Sequence, residues 1–512
     1  MLQKVHGSAV FGVDATTITV EVNIDTGIGY HLVGLPDNAV KESSYRIAAA
    51  LKNTGYKLPG KKITINMAPA DLRKEGSAYD LTLAIGILAA SNQIQAVNLD
   101  EFMIMGELSL DGSLQPIKGA LPIAIKAREE GFKSFILPKQ NAKEAAVVDN
   151  LDVYGIDNIE EVIDFFNDKR KLEPTLVDTR EEFYKNLDFP EFDFADVKGQ
   201  ESIKRCMEIA AAGGHNIILI GPPGSGKTML AKRLPSILPP MTLHEALETT
   251  KIHSVAGRIK EHGGLMSHRP FRSPHHTISD VALVGGGAYP QPGEISLSHN
   301  GVLFLDELPE FKRSVLEVMR QPLEDREVTI SRAKFTVTYP SSFMLVASMN
   351  PSPGGYFNDP NAPVMTTPSE MQRYLGKISG PLLDRIDIHI EVTPVPFEKL
   401  SDDRKGECSV DIRQRVTNAR EIQTNRFEGI PNVHYNAQMS TKQIRKYCEL
   451  SGESKQLLKT AMERLNLSAR AYDRILKVAR TISDLEGSET VLGDHISEAI
   501  QYRSLDREGW LG

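Results

Sequence analysis

The chain contains 512 residues, which is too long for one ordinary core and predicts two or three domains. Its hydrophobic content of 41% and charged content of 25% are typical of a soluble globular protein. The net charge of -8 argues against a globally basic nucleic-acid binder, so any contact with nucleic acid would need a local basic patch. Three widely spaced cysteines predict neither a disulfide framework nor a zinc site. Since no apolar run reaches the ~18 residues of a membrane helix and the N-terminus lacks a signal-peptide core, we expect a cytosolic protein without a membrane partner.

The pattern of apolar residues divides the chain into four segments. Residues 1–165 alternate short β-type runs with amphipathic helical stretches, which predicts an α/β or α+β domain. Residues 166–194 are charged and aperiodic and are typical of a linker. In residues 195–397, apolar strands alternate with helices as in a parallel, three-layer α/β domain. Residues 398–512 predict five helices, which we interpret as a small lid packed on the preceding domain.

The segment "GPPGSGKT" follows the apolar strand "NIILI" and precedes a helix, which is the context that a phosphate-binding P-loop requires. Glycines let such a loop bend so that its amides and the helix N-terminus face phosphate oxygens. In this interpretation Lys227 contacts the β and γ phosphates of ATP, and Thr228 binds Mg²⁺. The residues predicted to bind the nucleotide are Gly221, Pro222, Pro223, Gly224, Ser225, Gly226, Lys227 and Thr228.

Two later strand ends complete the predicted hydrolytic site. The apolar strand "GVLFL" is followed by Asp306, which would orient the magnesium shell, and by Glu307, which would polarise the attacking water. After the next strand, Asn350 would hold that water against the γ-phosphate. The alternative for Asn350 is an Asx turn ahead of Pro351.

Five motifs together resemble the magnesium-chelatase-like branch of the AAA+ ATPases, of the ComM/YifB type. They are "GPPGSGKT", "FRSPHHTISDVALVGGGAYPQPGEISLSHNGVLFLDELPEF", "MRQPLEDREVTISR", "MNPSPGGYF" and "RYLGKISGPLLDRIDIHIEV". The resemblance extends over essentially the whole chain and implies a hexameric ring that uses ATP and Mg²⁺. It also implies ATP-driven movement on single-stranded or branched DNA, including branch migration during natural transformation.

Two arginines acquire a role only through this resemblance, since an isolated arginine is usually a surface residue. Arg385 follows "GPLLD" and would be an arginine finger, which in trans contributes about 10³ to 10⁵ in rate in such enzymes. Arg470, at the head of a predicted lid helix, would be a second sensor of bound nucleotide. If Arg385 serves a neighbouring subunit, a lone subunit should be nearly idle.

An insertion separates the two halves of the predicted ATP site. Thr228 and Asp306 are 78 positions apart, whereas a strand–helix–strand unit needs ~30 residues. Residues 251–276 carry five lysines and arginines against one glutamate, so a basic loop that projects into the hole of the ring would meet DNA phosphates there. We take Arg269 and Arg272 as its candidate contacts and Gly285–Gly287 as its hinge. The alternative is that the histidines of this segment, His275 and His276 among them, form local hydrogen bonds only.

A β-hairpin is predicted over residues 326–339, where apolar residues alternate on each side of "SRAK". Arg332 and Lys334 would lie at its tip. The resemblance to ring helicases implies that this tip contacts DNA. The alternative is a surface hairpin with solubilising charges.

The first segment resembles the proteolytic domain of Lon-type proteases, a ribosomal S5 domain 2-like fold, in "LSLDGSLQPIKGALPIAIKAREEGFKSFILPKQN" and "APADLRKEGSAYDLTLAIG". A serine–lysine dyad needs both groups within hydrogen-bond reach. Ala78 and Leu121 occupy the serine and lysine positions, while Ser77 and Lys118 are shifted in register to other faces. We therefore predict a retained fold without peptidase chemistry.

Two other function classes are compatible with some of these motifs. An ATPase that remodels a protein partner, or that serves a metal chelatase, would carry the same nucleotide site, although the Lon-like segment is not expected in a chelatase subunit. An ATP-dependent peptidase would need Ser77 as its nucleophile, which the residues at positions 78 and 121 argue against.

Overall fold

The structure is a computed structural model that describes residues 2–95, 97–178, 183, 192–259, 263–287, 290–332, 335–354, 367–396, 406–465 and 467–503. The chain folds into two compact units. The first consists of Met1–Leu187, Thr242–Ser267 and Pro290–Pro292. The second consists of Asp188–Met241, His268–Tyr289 and Gly293–Gly512.

A mixed β-sheet forms the centre of the first unit. The described strands of residues 1–165 are β1 (Leu2–Phe11), β2 (Asp14–Asp25), β3 (Gly29–Val33), β4 (Lys62–Ala68), β5 (Phe102–Ile104), β6 (Glu107–Leu108), β7 (Leu114–Gln115), β8 (Ser134–Pro138) and β9 (Asp152–Ile156). β6 and β7 pair with each other, and the others form one sheet in the order β3-β4-β2-β1-β5-β8-β9. The β1–β2 and β2–β4 pairs are antiparallel, and the other neighbours are parallel.

Alternating apolar residues place one face of this sheet against helices. Ile18, Val20 and Val22 of β2 are fully buried and alternate with more exposed residues. The described helices here are α1 (Asn38–Asn53), α2 (Asp80–Ala90), α3 (Ala120–Glu129), α4 (Lys139–Ala145) and α5 (Ile159–Phe166). Since every residue of α2 is buried, this helix is the centre of the core and packs on β1 and β2. This mixed sheet with its helices confirms the combination of strands and helices that the sequence predicts for residues 1–165.

A parallel sheet forms the centre of the second unit. The remaining described strands of the chain are β10 (Ile217–Ile220), β11 (Phe271–Arg272), β12 (Gly285–Gly286), β13 (Gln291–Pro292), β14 (Val302–Leu305), β15 (Glu327–Arg332), β16 (Phe335–Pro340), β17 (Met344–Met349) and β18 (Ile388–Glu391). Five of them pair in parallel in the order β11-β14-β17-β10-β18. The strands β10, β14 and β17 are buried along their whole length, which explains their unbroken apolar runs. Ligands of such sheets bind outside the carboxyl ends of the strands, where the order of connections reverses.

The C-terminal helices pack on this sheet within the same unit. The described helices from residue 201 on, apart from residues 242–267, are α6 (Glu201–Gly213), α7 (Lys227–Ile237), α9 (Asp280–Val284), α10 (Glu294–Leu297), α11 (Arg313–Val318), α12 (Arg320–Asp325), α13 (Pro368–Leu375), α14 (Gly380–Leu383), α15 (Ser409–Arg426), α16 (Thr441–Tyr447), α17 (Gly452–Arg464), α18 (Ala469–Leu485) and α19 (Gly493–Gln501). Helices α15 to α19 confirm the five that the sequence predicts. They share one apolar core with β10 and α6. None of the described helices has both the length and the apolar character that crossing a bilayer requires.

The insertion folds differently from the predicted domain boundaries. Helix α8 (Leu243–Val255) belongs to the first unit, although the predicted span 195–397 assigns it to the ATPase domain. The physical reason is its contact with α3: Ala246 and Ile252 are buried, and the main-chain N–H of Gly119 donates to the carbonyl of Ser254 at 3.1 Å. Apolar spacing shows that a helix buries one face, but it does not show in which core.

Candidate functional site

The predicted P-loop connects β10 to α7 at the carboxyl end of β10, which lies between β17 and β18 in the parallel sheet. Gly224 and Gly226 have φ values of +78° and +91°, in the left-handed region that favours glycine. The main-chain N–H of Gly221 donates to the carbonyl of Met349 at 3.1 Å, which ties the start of the loop to the end of β17. The loop and the strand that carries Asn350 are therefore adjacent.

Lys227 brings the loop and Asn350 together. Its Nζ donates to the carbonyls of Gly221 and Pro222 at 2.6 and 2.9 Å and to Oδ1 of Asn350 at 3.3 Å. Burial lowers the pKa of this ammonium, while the nearby carboxylates of Asp306 and Glu307 act in the opposite direction. The predicted phosphate-binding cation thus lies among the other predicted catalytic residues.

Thr228 and Asp306 form the predicted metal-binding pair. The hydroxyl of Thr228 donates to Oδ2 of Asp306 at 2.9 Å. Ser348 donates to the other carboxylate oxygen of Asp306 and accepts the main-chain N–H of Glu307 at 3.2 Å. Hydroxyl and carboxylate oxygens are ligands that Mg²⁺ prefers, so the pair fits the predicted ion. Ser348 was not predicted, although it lies two residues before Asn350 and hence on the same face of β17.

Glu307 faces a cavity of about 580 Å³ at this edge of the sheet. The cavity is also lined by His276, Asn350 and Tyr374. The hydroxyl of Tyr374 donates to the main-chain carbonyl of Asn350 at 3.1 Å and fixes the chain there. The side chain of Glu307 is 55% exposed, which leaves it accessible to a water molecule.

The segment "RSPHH" contributes to the site through His276. Nδ1 of His276 lies 3.8 Å from Oε2 of Glu307, and the rings of His275 and His276 are 4.1 Å apart. His275 bonds Thr277 locally, with 2.9 Å between Nδ1 and the hydroxyl, as the alternative interpretation expects. His276 instead places the insertion beside the predicted catalytic carboxylate, a contact that the sequence did not predict.

The predicted arginine finger, Arg385, and the predicted sensor, Arg470, each form an ion pair with a carboxylate. Arg385 donates to the carbonyl of Pro381 at 2.6 Å and pairs with the carboxylate of Glu324. Arg470, at the start of α18, pairs with Asp384 at 2.5 Å, and its side chain is 70% exposed. Because Asp384 directly precedes Arg385, this ion pair joins α18 to the segment that carries the predicted finger. The catalytic roles of Arg385 and Arg470 stay predictions.

Arg269 and Arg272 have internal partners in the fold, and their predicted DNA contacts stay predictions. Arg269 donates to the main-chain carbonyls of Pro239, Pro240 and Asn300. Arg272 makes a bidentate ion pair with Glu294 at 2.6 and 2.7 Å. Both guanidinium groups secure the edge strand β11 and its flanks, so their charges are committed within the fold.

The predicted hairpin is confirmed by the pairing of β15 with β16. Its register joins Glu327 to Pro340 and Arg332 to Phe335. Ala333 and Lys334 at the tip lie outside the described residues, so the predicted contact of Lys334 is not described. Arg332 is exposed, and its guanidinium lies beside Gly286 of the predicted glycine hinge. The hairpin end and the triple glycine therefore lie next to each other.

Comparison with known proteins fixes the family. The family models for the magnesium chelatase subunit ChlI, for subunit ChlI of Mg-chelatase and for the ChlI C-terminal region match residues 193–400, 20–141 and 406–503. Competence protein ComM of Haemophilus influenzae is 45% identical over 510 residues, which cover 99% of this chain and 98% of ComM. YifB of Escherichia coli is 45% identical over 511 residues, with the same coverage of both chains. The chain belongs to the ComM/YifB family.

This ComM/YifB chain also shows partial similarity to a Lon protease. Lon protease 2 of Bacillus subtilis is 30% identical over 154 residues, which cover 28% of this chain and 27% of that protease. In the structure, the hydroxyl of Ser77 donates to Glu107, and the side chain of Lys118 lies against Gly257. Leu121 has a buried, apolar side chain, and its main-chain N–H donates to Glu144 at 3.0 Å. Ser77 and Lys118 thus contact different partners in this ComM/YifB chain.

Proposed function

We propose that this protein is an ATP-hydrolysing ring motor that acts on single-stranded or branched DNA, with branch migration in homologous recombination as its task. One observation carries the proposal. The chain from Glu307 at the end of β14 to Asn350 at the end of β17 runs through the hairpin that presents Arg332. The ATP site and the candidate DNA contact therefore lie on one continuous segment of the chain.

The residues of the site fit ATP and Mg²⁺. The buried hydroxyl of Ser225, in the middle of the P-loop, has no hydrogen-bond partner among the described residues, so it is available to a phosphate oxygen. Thr228 and Asp306 would hold Mg²⁺, which when bound supplies positive charge against the phosphate oxygens. Lys227 would contact the β and γ phosphates, and Asn350 would orient the attacking water.

Glu307 is the general base of this proposal. Its carboxylate would take a proton from the attacking water as the water oxygen bonds to the γ-phosphorus, and the bond from that phosphorus to the β–γ bridging oxygen breaks. The products are ADP and inorganic phosphate. Because His276 lies 3.8 Å from Glu307, a movement of the insertion would change the surroundings of this carboxylate.

The proposed ring completes each ATP site with an arginine from a neighbour. Arg385 would stabilise the charge on the γ-phosphate of the ATP bound to the adjacent subunit. This contact would lower the activation free energy by roughly 4 to 7 kcal/mol. Arg470 would contact the nucleotide of its own subunit. We propose six subunits, as the family resemblance implies, in which each ring carries six copies of Arg332 towards the DNA backbone.

The direct test is unwinding of a forked DNA or a three-way junction. We expect wild-type protein to open these substrates with ATP and to hydrolyse ATP faster in their presence. Glu307→Gln should bind ATP, assemble and fail to open either substrate, because it lacks the base. An assembled wild-type ring whose ATP turnover is the same with every DNA structure would exclude the proposal.

The match to magnesium chelatase models supports a second candidate, an AAA+ ATPase that remodels a protein partner or serves a metal chelatase. In that case the same ATP site would pull on a polypeptide instead of DNA. ATP turnover that responds to a protein partner and is indifferent to DNA would favour this candidate. The relative from Haemophilus influenzae is named a competence protein, which favours DNA as the substrate.

A further inference from the structure

Two guanidinium groups of the second unit lie close to the ring of Tyr435. Cζ of Arg420 is 4.4 Å from the centre of the Tyr435 ring, and Cζ of Arg326 is 5.5 Å from it. Both distances are within the ~6 Å range of cation–π attraction. Burial alone would raise the pKa of the Tyr435 phenol, but the charge of Arg326, hydrogen bonds from neighbours and the charge of Arg420 lower it. Two positive charges therefore lie within cation–π range of this ring.

Both ends of the hairpin meet this ring. Arg326 immediately precedes β15, and Ser342, whose hydroxyl lies 3.2 Å from the Tyr435 hydroxyl, follows β16. The main-chain N–H of Ser341 donates to the carbonyl of Arg326 at 2.7 Å and closes the base of the hairpin. Tyr435 thus contacts Arg326, just before the hairpin, and Ser342, just after it.

The ring also packs against the chain that leads to the P-loop. Gly214 ends α6 with φ +67°, and a Cβ atom there would lie 2.4 Å from Cδ2 and Cε2 of Tyr435. The position excludes any larger residue because both its conformation and the ring forbid one. Three residues further on, β10 begins at Ile217 and leads to the loop that holds Lys227.

The neighbour of Tyr435 anchors the same segment on the C-terminal helices. Asn436 is fully buried, and its main-chain N–H donates to Oε1 of Gln423 on α15 at 2.9 Å. Its side-chain amide donates to Thr481 and Asp484 on α18 at 3.1 and 2.8 Å. Since Arg470 lies at the start of α18, the helix proposed to sense ATP and the ring at the hairpin base belong to one hydrogen-bonded assembly.

Arg326 has an unusual backbone for its residue type. Its φ is +59°, in the left-handed region that glycine or asparagine normally occupies. Residues held in sparsely populated conformations cluster at functional sites, where the surrounding structure compensates for the strain. An arginine at this position indicates that its guanidinium, which faces Tyr435, has a use that glycine would not provide.

We propose that Tyr435 is a positioning residue that ties the base of the β15–β16 hairpin to helices α15 and α18, so that ATP binding moves the hairpin. The proposal rests on the proposed function, because it takes Arg470 as the sensor of ATP. In this proposal, a movement of the C-terminal helices on ATP binding reaches the hairpin through Tyr435. Truncation of the ring should leave the helices responsive to ATP and disconnect the hairpin from them.

Hydrogen exchange tests this proposal in full-length Glu307→Gln, which is expected to bind ATP without hydrolysing it. In that parent, ATP should change the exchange rates of amides in both α18 and the hairpin strands by at least severalfold. In Glu307→Gln/Tyr435→Leu, α18 should still respond, and the response of the hairpin should be lost. Arg326→Gly in the same background should also weaken the hairpin response, and it should fold well because glycine suits φ +59°.

Two controls separate coupling from general damage. Tyr435→Phe keeps the ring close to the guanidinium groups and should retain most of the hairpin response. Tyr447→Leu removes another tyrosine of the C-terminal helices, whose ring contacts Lys446 and Phe427, and should retain all of it. A full hairpin response in Tyr435→Leu or Arg326→Gly would overturn the inference. A parent in which α18 ignores ATP would overturn the proposed function and the inference with it.

Discussion

Ser348 supports the ATP site from the strand next to the carboxylates. Its hydroxyl donates to Asp306 and accepts the main-chain N–H of Glu307, so Ser348→Ala removes both hydrogen bonds. Loss of such an outer partner typically costs 10-fold to 100-fold in metal affinity or activity. We expect ATP turnover to fall by about that factor and the half-maximal rate to require more Mg²⁺. A titration of turnover against Mg²⁺ checks this.

The matched control for that prediction is Ser314→Ala. Ser314 is exposed, and its hydroxyl donates to Asp280 instead of to the carboxylates of the ATP site. It should leave the Mg²⁺ dependence as in the wild type. A Ser348→Ala protein with the same Mg²⁺ dependence as this control would show that Ser348 does not position Asp306.

We expect His215 to make the stability of the second unit depend on pH. It is fully buried, with its Nδ1 3.1 Å from Asp387 and its Nε2 2.8 Å from the Thr481 hydroxyl. Burial lowers its pKa despite the opposing charge of Asp387, so the folded state binds this proton less readily than the unfolded state. The stability that neutral His215 contributes is therefore present above the ordinary histidine pKa of about 6.5 and is lost as pH falls below it.

Between pH 7 and pH 5, we expect the opening free energy of amides in β10 and α18 to fall. In His215→Gln that fall should be smaller, by at most about 1.4 kcal/mol per pH unit. Hydrogen exchange at several pH values measures both slopes. His244→Gln, which removes an imidazole that is 83% exposed, should retain the wild-type slope. Equal slopes in wild type and His215→Gln would contradict the assignment.

The sequence predicted those site residues whose signal is local. Lys227, Asp306 and Asn350 each follow a short apolar strand, and parallel strands bring their carboxyl ends to one edge. His276 and Tyr435 were not predicted as contacts of the site or the hairpin, because their partners are distant along the chain. Nothing in the local pattern of either residue differs from an ordinary buried or surface side chain.

At the scale of secondary-structure elements, the hairpin β15–β16 is the candidate DNA contact that the structure leaves exposed. Among the described residues, no carboxylate forms an ion pair with Arg332. We expect Arg332→Ala to weaken binding of single-stranded DNA and to flatten the plot of log affinity against log salt, by about 0.7 for each phosphate that the protein no longer neutralises. Fluorescence anisotropy at several salt concentrations measures this slope.

Arg464→Ala provides the matched loss of one exposed arginine, at the end of α17. It should keep the wild-type salt dependence of DNA binding. If Arg332→Ala and Arg464→Ala have the same slope, the hairpin is a surface hairpin with solubilising charges, as the alternative interpretation holds.

The periodicity of apolar residues predicted whether a segment forms a helix or a strand better than it predicted which core that element packs into. The alternation on each side of "SRAK" predicted the hairpin, and the spacing of apolar residues predicted α15 and α18. The same spacing in α8 gave no sign that this helix packs with α3 in the first unit. The sequence likewise did not indicate that the guanidinium groups of Arg269 and Arg272 bind partners that only the folded chain provides.

At the scale of the whole assembly, the proposal requires that each ATP site be completed by a neighbour. Arg385→Ala should lower turnover by about 10³ to 10⁵, and Glu307→Gln should be inactive for a different reason. Mixing the two should restore part of the activity, because a Glu307→Gln subunit can supply Arg385 to the intact Glu307 site of its neighbour. Turnover of the mixture that equals the sum of the separate proteins would contradict action in trans.

The most direct measurement is the rate of ATP turnover per subunit, with and without forked DNA, over a range of protein concentrations that spans assembly. If each ATP site is completed by a neighbouring subunit, we expect a nearly inactive subunit at high dilution, a steep rise in turnover as subunits assemble, and a further rise on addition of DNA. Full turnover at high dilution, or assembled protein whose rate forked DNA leaves unchanged, would contradict the proposal.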